Sequence, residues 1–192
     1  MTTLISFYTQ DWKYPQYAES LRKDCVDLKI PHHIQQLPTT GSYLKNTCMK
    51  PSFILETLRK LKSPVLWVDC DGRVLHPPIF SQGFDFAAKK MASHRKRTWH
   101  VGTMWFNYTS AMIEFLEKWI ENTGKISDES ALEKTWQDYG HLISTVDIPD
   151  DYFVILKPGE KPRGVICYRI SPGQSKKKEL PLAIARNKQG LF

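Results

Sequence analysis

The run from Ser63 to Asp69, SPVLWVD, is almost wholly apolar and ends on an acid, with Cys70, Asp71 and Gly72 directly behind it. A strand that is apolar along its whole length is buried on both faces, which places it inside a sheet covered by other elements. Loops leaving the carboxyl edge of such a sheet open on the crevice where ligands bind. Asp69 and Asp71 are therefore expected to stand where a ligand sits.

The flanking sequence alternates strand and helix signals around that run. Thr3 to Thr9 reads as an opening strand and Tyr17 to Leu28 as a helix with Ala18, Leu21, Cys25 and Leu28 on one face. His32 to Leu37 is a second strand, PTTGSY a turn, and Lys50 to Leu61 a helix with Pro51 near its start. Beyond the acidic pair comes a proline turn, HPPIF, and then FDFAAKKMASHRKR, a basic stretch to which the sequence assigns no element. Trp99 to Tyr108 reads as a strand, and Ser110 to Glu121 and Asp128 to Tyr139 as helices, with Asp128 a candidate cap for the second. Strands near Tyr152 to Leu156 and Gly164 to Ile170 precede a lysine-rich end, with no internal repeat. The expected organisation is one α/β domain over residues 1–175 and a basic tail over 176–192.

Composition narrows the class. With 192 residues, 41% of them hydrophobic and six tryptophans, the chain can bury a real core. No apolar run approaches the roughly 20 residues of a membrane span, and the N-terminus lacks the pattern of a secretory signal. A cytoplasmic protein without membrane insertion is expected. Cys25, Cys48, Cys70 and Cys167 are scattered and the six histidines show no ligand spacing, which suggests neither disulfides nor zinc. A net charge of +7 favours polyanionic partners, although it also serves plain solubility.

Two carboxylates two residues apart suit a hard dication, Mn²⁺ or Mg²⁺, which takes oxygen ligands and shares its sphere with substrate phosphates. Asp69 and Asp71 are the candidate metal ligands; capping of the following turn is the competing role.

The stretch KPSFILETLRKLKSPVLWVDCDGRVLHPPIF resembles the donor-binding centre of GT-A nucleotide-diphospho-sugar transferases, the DxD glycosyltransferases. GTMWFNYTSAMIEFLEKW is similar to their acceptor-side strand and helix, and DESAL to their D-(E/Q)-x-x-L signature. The resemblance implies a GT-A fold, with a central mixed, mostly parallel sheet flanked by helices. It implies transfer of a sugar from a nucleotide sugar, most readily a UDP-sugar. By the same resemblance Tyr8 and Thr9 line the nucleoside pocket, Tyr14 or Tyr17 stacks on the base, and Lys50 approaches the diphosphate or sugar. Asp69 contacts the ribose, sugar or metal, Asp71 is the firmer metal ligand, and Asp128 binds the acceptor or acts as general base. Many family members carry a His ligand on the last core strand; here GVICYRISPG offers Cys167, Tyr168 and Arg169, so that Arg169 and the SKKK of the tail become candidates for holding the diphosphate.

In that architecture Lys89, Lys90, Arg95, Lys96 and Arg97 border the acceptor side, with Trp99, Trp105 and Asn107 on the adjoining strand. A phosphate backbone suits such a patch, and aromatic residues beside it suit an extruded base. Double-stranded DNA carrying a hydroxymethylated pyrimidine is the expected acceptor, an activity that resembles those encoded by bacteriophages acting in the host cytoplasm. A glycan or lipopolysaccharide acceptor is the alternative. VLWVDCDGRVL also resembles the first motif of haloacid-dehalogenase-type phosphatases, with Asp69 as nucleophile, although Arg73 and the late position of the motif depart from that pattern.

Overall fold

The computed structural model describes residues 2–81, 83–91, 98–124 and 126–169. Its elements are β1 (Thr3–Tyr8), α1 (Tyr14–Asp27), β2 (His32–Gln36), α2 (Tyr43–Thr47), α3 (Lys50–Leu61), β3 (Val65–Val68), β4 (Gly72–Val74), β5 (Phe86–Lys90) and β6 (Trp99–Phe106), then α4 (Ser110–Asn122), α5 (Asp128–Tyr139), β7 (Thr145–Asp147), β8 (Val154–Leu156) and β9 (Ile166–Arg169). The main sheet has the order β2-β1-β3-β6-β5-β7, and β4, β9 and β8 form a second, three-stranded sheet. Within the main sheet β6 alone runs against the others, so the sheet is mixed and mostly parallel, as expected.

Period-two alternation distributes the strand side chains to two cores. Ile5, Phe7, Val65 and Trp67 meet α3, α4 and α5 on one face. Leu4, Leu66 and Val68 meet Leu21 and Cys25 of α1, with Val74 and Ile166 of the small sheet, on the other. All four residues of β3 are at most 2% exposed, which is what its continuous apolar run requires. Burying a side chain of this size contributes about 1.5–3 kcal/mol.

The helix ends follow local chemistry. Proline in the first turn opens both α1 and α3, and its fixed φ suits that position. It starts α1 at Tyr14, ahead of the expected Tyr17. Thr109 caps α4 by accepting from the Met112 amide. Ser127, not Asp128, caps α5 by accepting from the Ser130 amide at 3.2 Å. Ser42, inside the stretch read as a turn, caps the short α2, which begins at Tyr43, the last residue of that stretch. The unassigned basic stretch contributes β5, and β4 and β7 are short strands that the sequence signals miss.

Asp85, just ahead of β5, ties three segments together. Its carboxylate accepts from the Thr109 hydroxyl at 2.6 Å and from the Ser144 amide and hydroxyl at 2.9 and 2.7 Å. Burial pushes its pKa up, but these hydrogen bonds outweigh it and hold the carboxyl below the usual range. A depressed carboxyl stabilises the fold above its unfolded pKa, and that contribution disappears as pH falls through the folded pKa. Asp85→Asn should therefore cost about 1–3 kcal/mol near neutrality and progressively less below pH ~4. Denaturant titrations of both proteins at pH 7 and pH 3 measure the difference.

Among the described residues no helix is long and apolar enough to cross a membrane. The expected boundary between residues 175 and 176 lies outside the described residues.

Candidate active site

Because β1 and β3 are parallel neighbours, Tyr8 and Thr9 leave the same edge of the sheet as Asp69 and Asp71. The adjoining β6 is irregular there: Ala88 faces Met104, but Lys90 faces Trp99, so the register slips between them. Such a bulge re-aims the bulged strand. It turns the Gly102 carbonyl to accept from the Asp69 amide at 2.9 Å and the Tyr168 hydroxyl at 2.7 Å.

The Gly72 amide donates to the Asp69 carbonyl at 2.8 Å, closing a tight turn over Asp69-Cys70-Asp71. A Cβ at Gly72 would lie 2.7 Å from Val68 Cγ1 and 2.9 Å from Tyr168 Cε1, both in packed surroundings. Gly72→Ala should cost about 1–3 kcal/mol as overpacking and move Asp71. Thermal denaturation together with cation-dependent nucleotide binding tests this, since both should weaken.

A cavity of about 450 Å³ opens at this edge, and Tyr8, Thr9, Tyr14 and Lys50 line it together with Asp69, Asp71 and Asp128. At its base the Lys50 ammonium, 4% exposed, reaches Asp69 Oδ1 at 3.0 Å, Asp128 Oδ2 at 2.8 Å and the Val101 carbonyl at 3.2 Å. An ammonium has three N–H donors, and these three acceptors match them. Lys50 thus organises two carboxylates, from the turn after β3 and from α5, at the base of the cavity. Burial pulls its pKa down, yet Asp128 and Asp69 more than reverse this, and the net direction is up. Asp128 is held here by its carboxylate and by its carbonyl, which accepts from Trp119 Nε1 at 3.0 Å.

Asp69 Oδ1 also accepts from Trp67 Nε1 at 2.9 Å. Burial pushes the Asp69 pKa up to about 6, with Lys50 opposing and Asp71 and Asp128 adding to the rise. Burial likewise holds the Tyr14 phenol far above its ordinary pKa and lifts Tyr43 to about 12, so both are hydrogen-bond donors at neutral pH.

Two oxygen-bearing carboxylates in one turn fit a hard dication that keeps most of its sphere for water and diphosphate. Among the described residues no group of three or more His, Cys, Asp or Glu side chains is placed to hold a metal. Tyr168 occupies the β9 position opposite Gly72, with its hydroxyl between the Thr103 hydroxyl at 2.6 Å and the Gly102 carbonyl.

Several expected site residues are not among the described residues that line the cavity. Tyr17 does not line the cavity and packs edge-on against Trp12 at 5.7 Å. Arg169 is exposed at the end of β9, outside the cavity lining. Trp99 and Trp105, 5% and 1% exposed, point into the two cores, Trp99 against Phe86 and Trp136 and Trp105 against Phe80 and Phe84. They do so because β6 is covered on both faces. Asn107 donates to the Phe84 carbonyl at 3.1 Å and so secures the loop before β5. Lys89 pairs with Asp150 at 2.7 Å and Asp147 at 3.4 Å, and Lys90 is exposed at the end of β5. Arg95, Lys96 and Arg97, with the SKKK of the tail, lie outside the described residues. The cavity is also lined by Tyr43 and Asn46 of α2, His100 of β6 and Glu129 of α5, which the sequence reading did not single out. Of these, Glu129 alone had a signal, in the second position of DESAL.

No protein-family model matches the sequence, and no curated protein does. Solved structures do. The chain is similar to a glycosyltransferase involved in the glycosylation of the major capsid of PBCV-1, with a TM-score of 0.65 and 12% identity over 95% of this chain and 98% of that one. It is also similar to the glycosyltransferase GlyE of Streptococcus pneumoniae TIGR4, with a TM-score of 0.56 and 13% identity over 98% of this chain but 63% of GlyE. At such identities the likeness is one of architecture: the chain has the GT-A fold of nucleotide-diphospho-sugar transferases.

Proposed function

We propose that this chain is a glycosyltransferase that binds a nucleoside diphosphate sugar through a divalent cation at Asp69 and Asp71 and transfers the sugar to an acceptor hydroxyl. The observation that carries the reading is the charge of the cavity. Among the described lining residues, Asp69, Asp71, Asp128 and Glu129 face it with one lysine, Lys50, whose donors are engaged by Asp69, Asp128 and Val101. A diphosphate entering alone would meet like charge; with a dication it meets a matched site. The shared fold of two glycosyltransferases supports the same assignment.

In the reaction the acceptor oxygen bonds to the anomeric carbon, the bond from that carbon to the diphosphate oxygen breaks, and the hydroxyl proton passes to the Asp128 carboxylate or to the leaving diphosphate oxygen. A bound dication would supply positive charge to the leaving diphosphate. Tyr8 and Thr9 flank the nucleoside, with Tyr14 as the aromatic wall. Asp128, fixed by Lys50 and by the α5 N-terminus, accepts from substrate hydroxyls, and this fixed geometry is where orientation contributes to rate. The test is a thermal-shift screen of nucleoside diphosphates with and without Mn²⁺. One nucleotide at 100 times its dissociation constant should stabilise by about 2.7 kcal/mol, and only with the cation. No response from any nucleotide removes the assignment.

For the acceptor, the net charge of +7 supports a polyanion. Lys89 and Lys90 end β5, which runs parallel to β3 and so opens on the same edge as Asp69, and Arg95 to Arg97 follow in sequence. Hydroxymethylated pyrimidine in duplex DNA is the acceptor to assay first, with a phosphorylated glycan as the alternative. DNA binding should fall steeply with salt, and transfer to neither acceptor would sink the polyanion reading. The phosphatase reading is weaker, because Asp69 Oδ1 is occupied by Lys50 and Trp67. Hydrolysis of a generic phosphate ester would revive it.

A further inference from the structure

Resting on the transferase reading above, we infer that Asp24 of α1 and Arg73 of β4 form a positioning pair for the acidic turn, so that cation-dependent nucleotide binding relies on a contact made behind the cavity. Asp24 stands on the core-facing stripe of α1 with Ala18, Leu21 and Cys25, and is 7% exposed. A charge on that stripe costs free energy unless it is paired and hydrogen-bonded. Its carboxylate accepts from Arg73 Nε at 2.6 Å and Nη2 at 2.7 Å, a two-pronged, charge-assisted pairing, and from the Val74 amide at 3.1 Å. One carboxylate thus grips two successive residues of β4, one by its side chain and one by its backbone. Apolar residues of similar volume would serve stability as well as a buried ion pair or better, so what the pair adds is a defined geometry.

That geometry bears on the turn. Arg73 is two residues beyond Asp71, and Gly72 between them closes the turn on the Asp69 carbonyl. At its front the turn is held by β3, paired with β6, and by the Asp69 amide on the Gly102 carbonyl. At its back stands β4, three residues paired with β9 from Gly72 opposite Tyr168 to Val74 opposite Ile166. So short a ladder is marginal by itself. Asp24 joins it to a 14-residue helix that packs on the main sheet through Leu21 and Cys25. The same helix begins at Tyr14, which lines the cavity, so α1 connects the nucleoside wall to the acidic turn. A cation held by few protein oxygens is sensitive to such placement, because partners behind the ligands orient them.

The test compares the full parent chain with Asp24→Asn, Arg73→Gln and the double variant. Asparagine keeps a carbonyl oxygen for the Val74 amide, and the double variant leaves no charge unpaired, which guards against misfolding. Nucleoside diphosphates are screened on the parent to find the base, and Mn²⁺ is then titrated into each protein with that nucleotide present, at a temperature where circular dichroism shows all four folded. The apparent Mn²⁺ affinity should fall at least about tenfold in each single variant, the lower bound for losing a partner behind a metal ligand. The double variant should lose no more than the singles, since the two residues act as one unit. A contact that served stability alone would lower the melting temperature and leave the Mn²⁺ affinity in place; a smaller loss of affinity than that expected overturns the inference and leaves the transferase reading standing. Additive losses in the double variant overturn the pair as the acting unit. Failure of every nucleoside diphosphate to bind the parent with Mn²⁺ overturns the transferase reading, and the inference with it.

Discussion

Lys50→Met should lower stability by about 3–5 kcal/mol, the range for a buried ion pair that loses one partner, and should abolish sugar transfer. The ammonium joins two carboxylates from separate parts of the chain, and both lose their counter-charge when it is removed. Asp128, with its side chain 7% exposed, suffers more than Asp69 at 34%. The energetic and catalytic consequences can be separated. In Lys50→Met/Asp128→Asn the buried charge leaves along with its partner, so much of the stability should return, a coupling that a double-mutant cycle measures. Transfer should not return, because the carboxylate at the start of α5 is missing. Lys50→Arg should fall short on both counts, since a planar fork does not meet three acceptors arranged around one tetrahedral nitrogen. Denaturant titration and a nucleotide-sugar transfer assay on the parent, Lys50→Met, Asp128→Asn, the double variant and Lys50→Arg decide the matter. A loss below ~1 kcal/mol in Lys50→Met, the range of exposed ion pairs, would mean that the triad does not hold the site together.

That triad illustrates what the sequence could and could not disclose. Strand β3 was legible because an uninterrupted apolar run has one physical use, burial on two faces, and α3 because Pro51 and the 3.6-residue period mark it from within. The carboxyl-edge position of Asp69 and Asp71 followed from those local signals. The partnership of Lys50 with Asp128 did not, because it joins residues 78 positions apart through the packing of α3 against α4 and of α4 against α5. At the start of α5 two residues able to cap stand side by side, and the period alone does not choose between Ser127 and Asp128. The structure gives the cap to Ser127 and releases the Asp128 carboxylate to Lys50. The tryptophans show the converse error. Trp99 and Trp105 were read beside basic residues as acceptor contacts, whereas the reasoning that buried β3 applies equally to WHVGTMWF and sends both rings to the core. The walls supplied by α2 and by His100 carried no local pattern, since a five-residue helix and a strand bulge are set by their tertiary surroundings.

Asp71→Asn should remove cation-dependent nucleotide binding and lower transfer by at least about 10²-fold, comparable to losing one charge-stabilising contact. The two acids of the turn are set in different surroundings. The Asp69 carboxylate contributes to structure as well as to the site, through Lys50 and Trp67, so a substitution there changes stability and function together. Asp71 lines the same cavity from a turn whose backbone is already closed by Gly72 and packed against Tyr168. Asparagine keeps the size and the carbonyl oxygen but drops the charge, and a hard dication bound by so few protein oxygens depends on that charge. Excess Mn²⁺ should restore part of the binding if Asp71 is a ligand, because weakened affinity responds to mass action. Three readings on Asp71→Asn settle its role: the melting temperature without ligand, the Mn²⁺ dependence of the nucleotide-induced shift, and transfer at saturating donor. An unchanged Mn²⁺ dependence would move the cation elsewhere, and with it the assignment of the acidic turn.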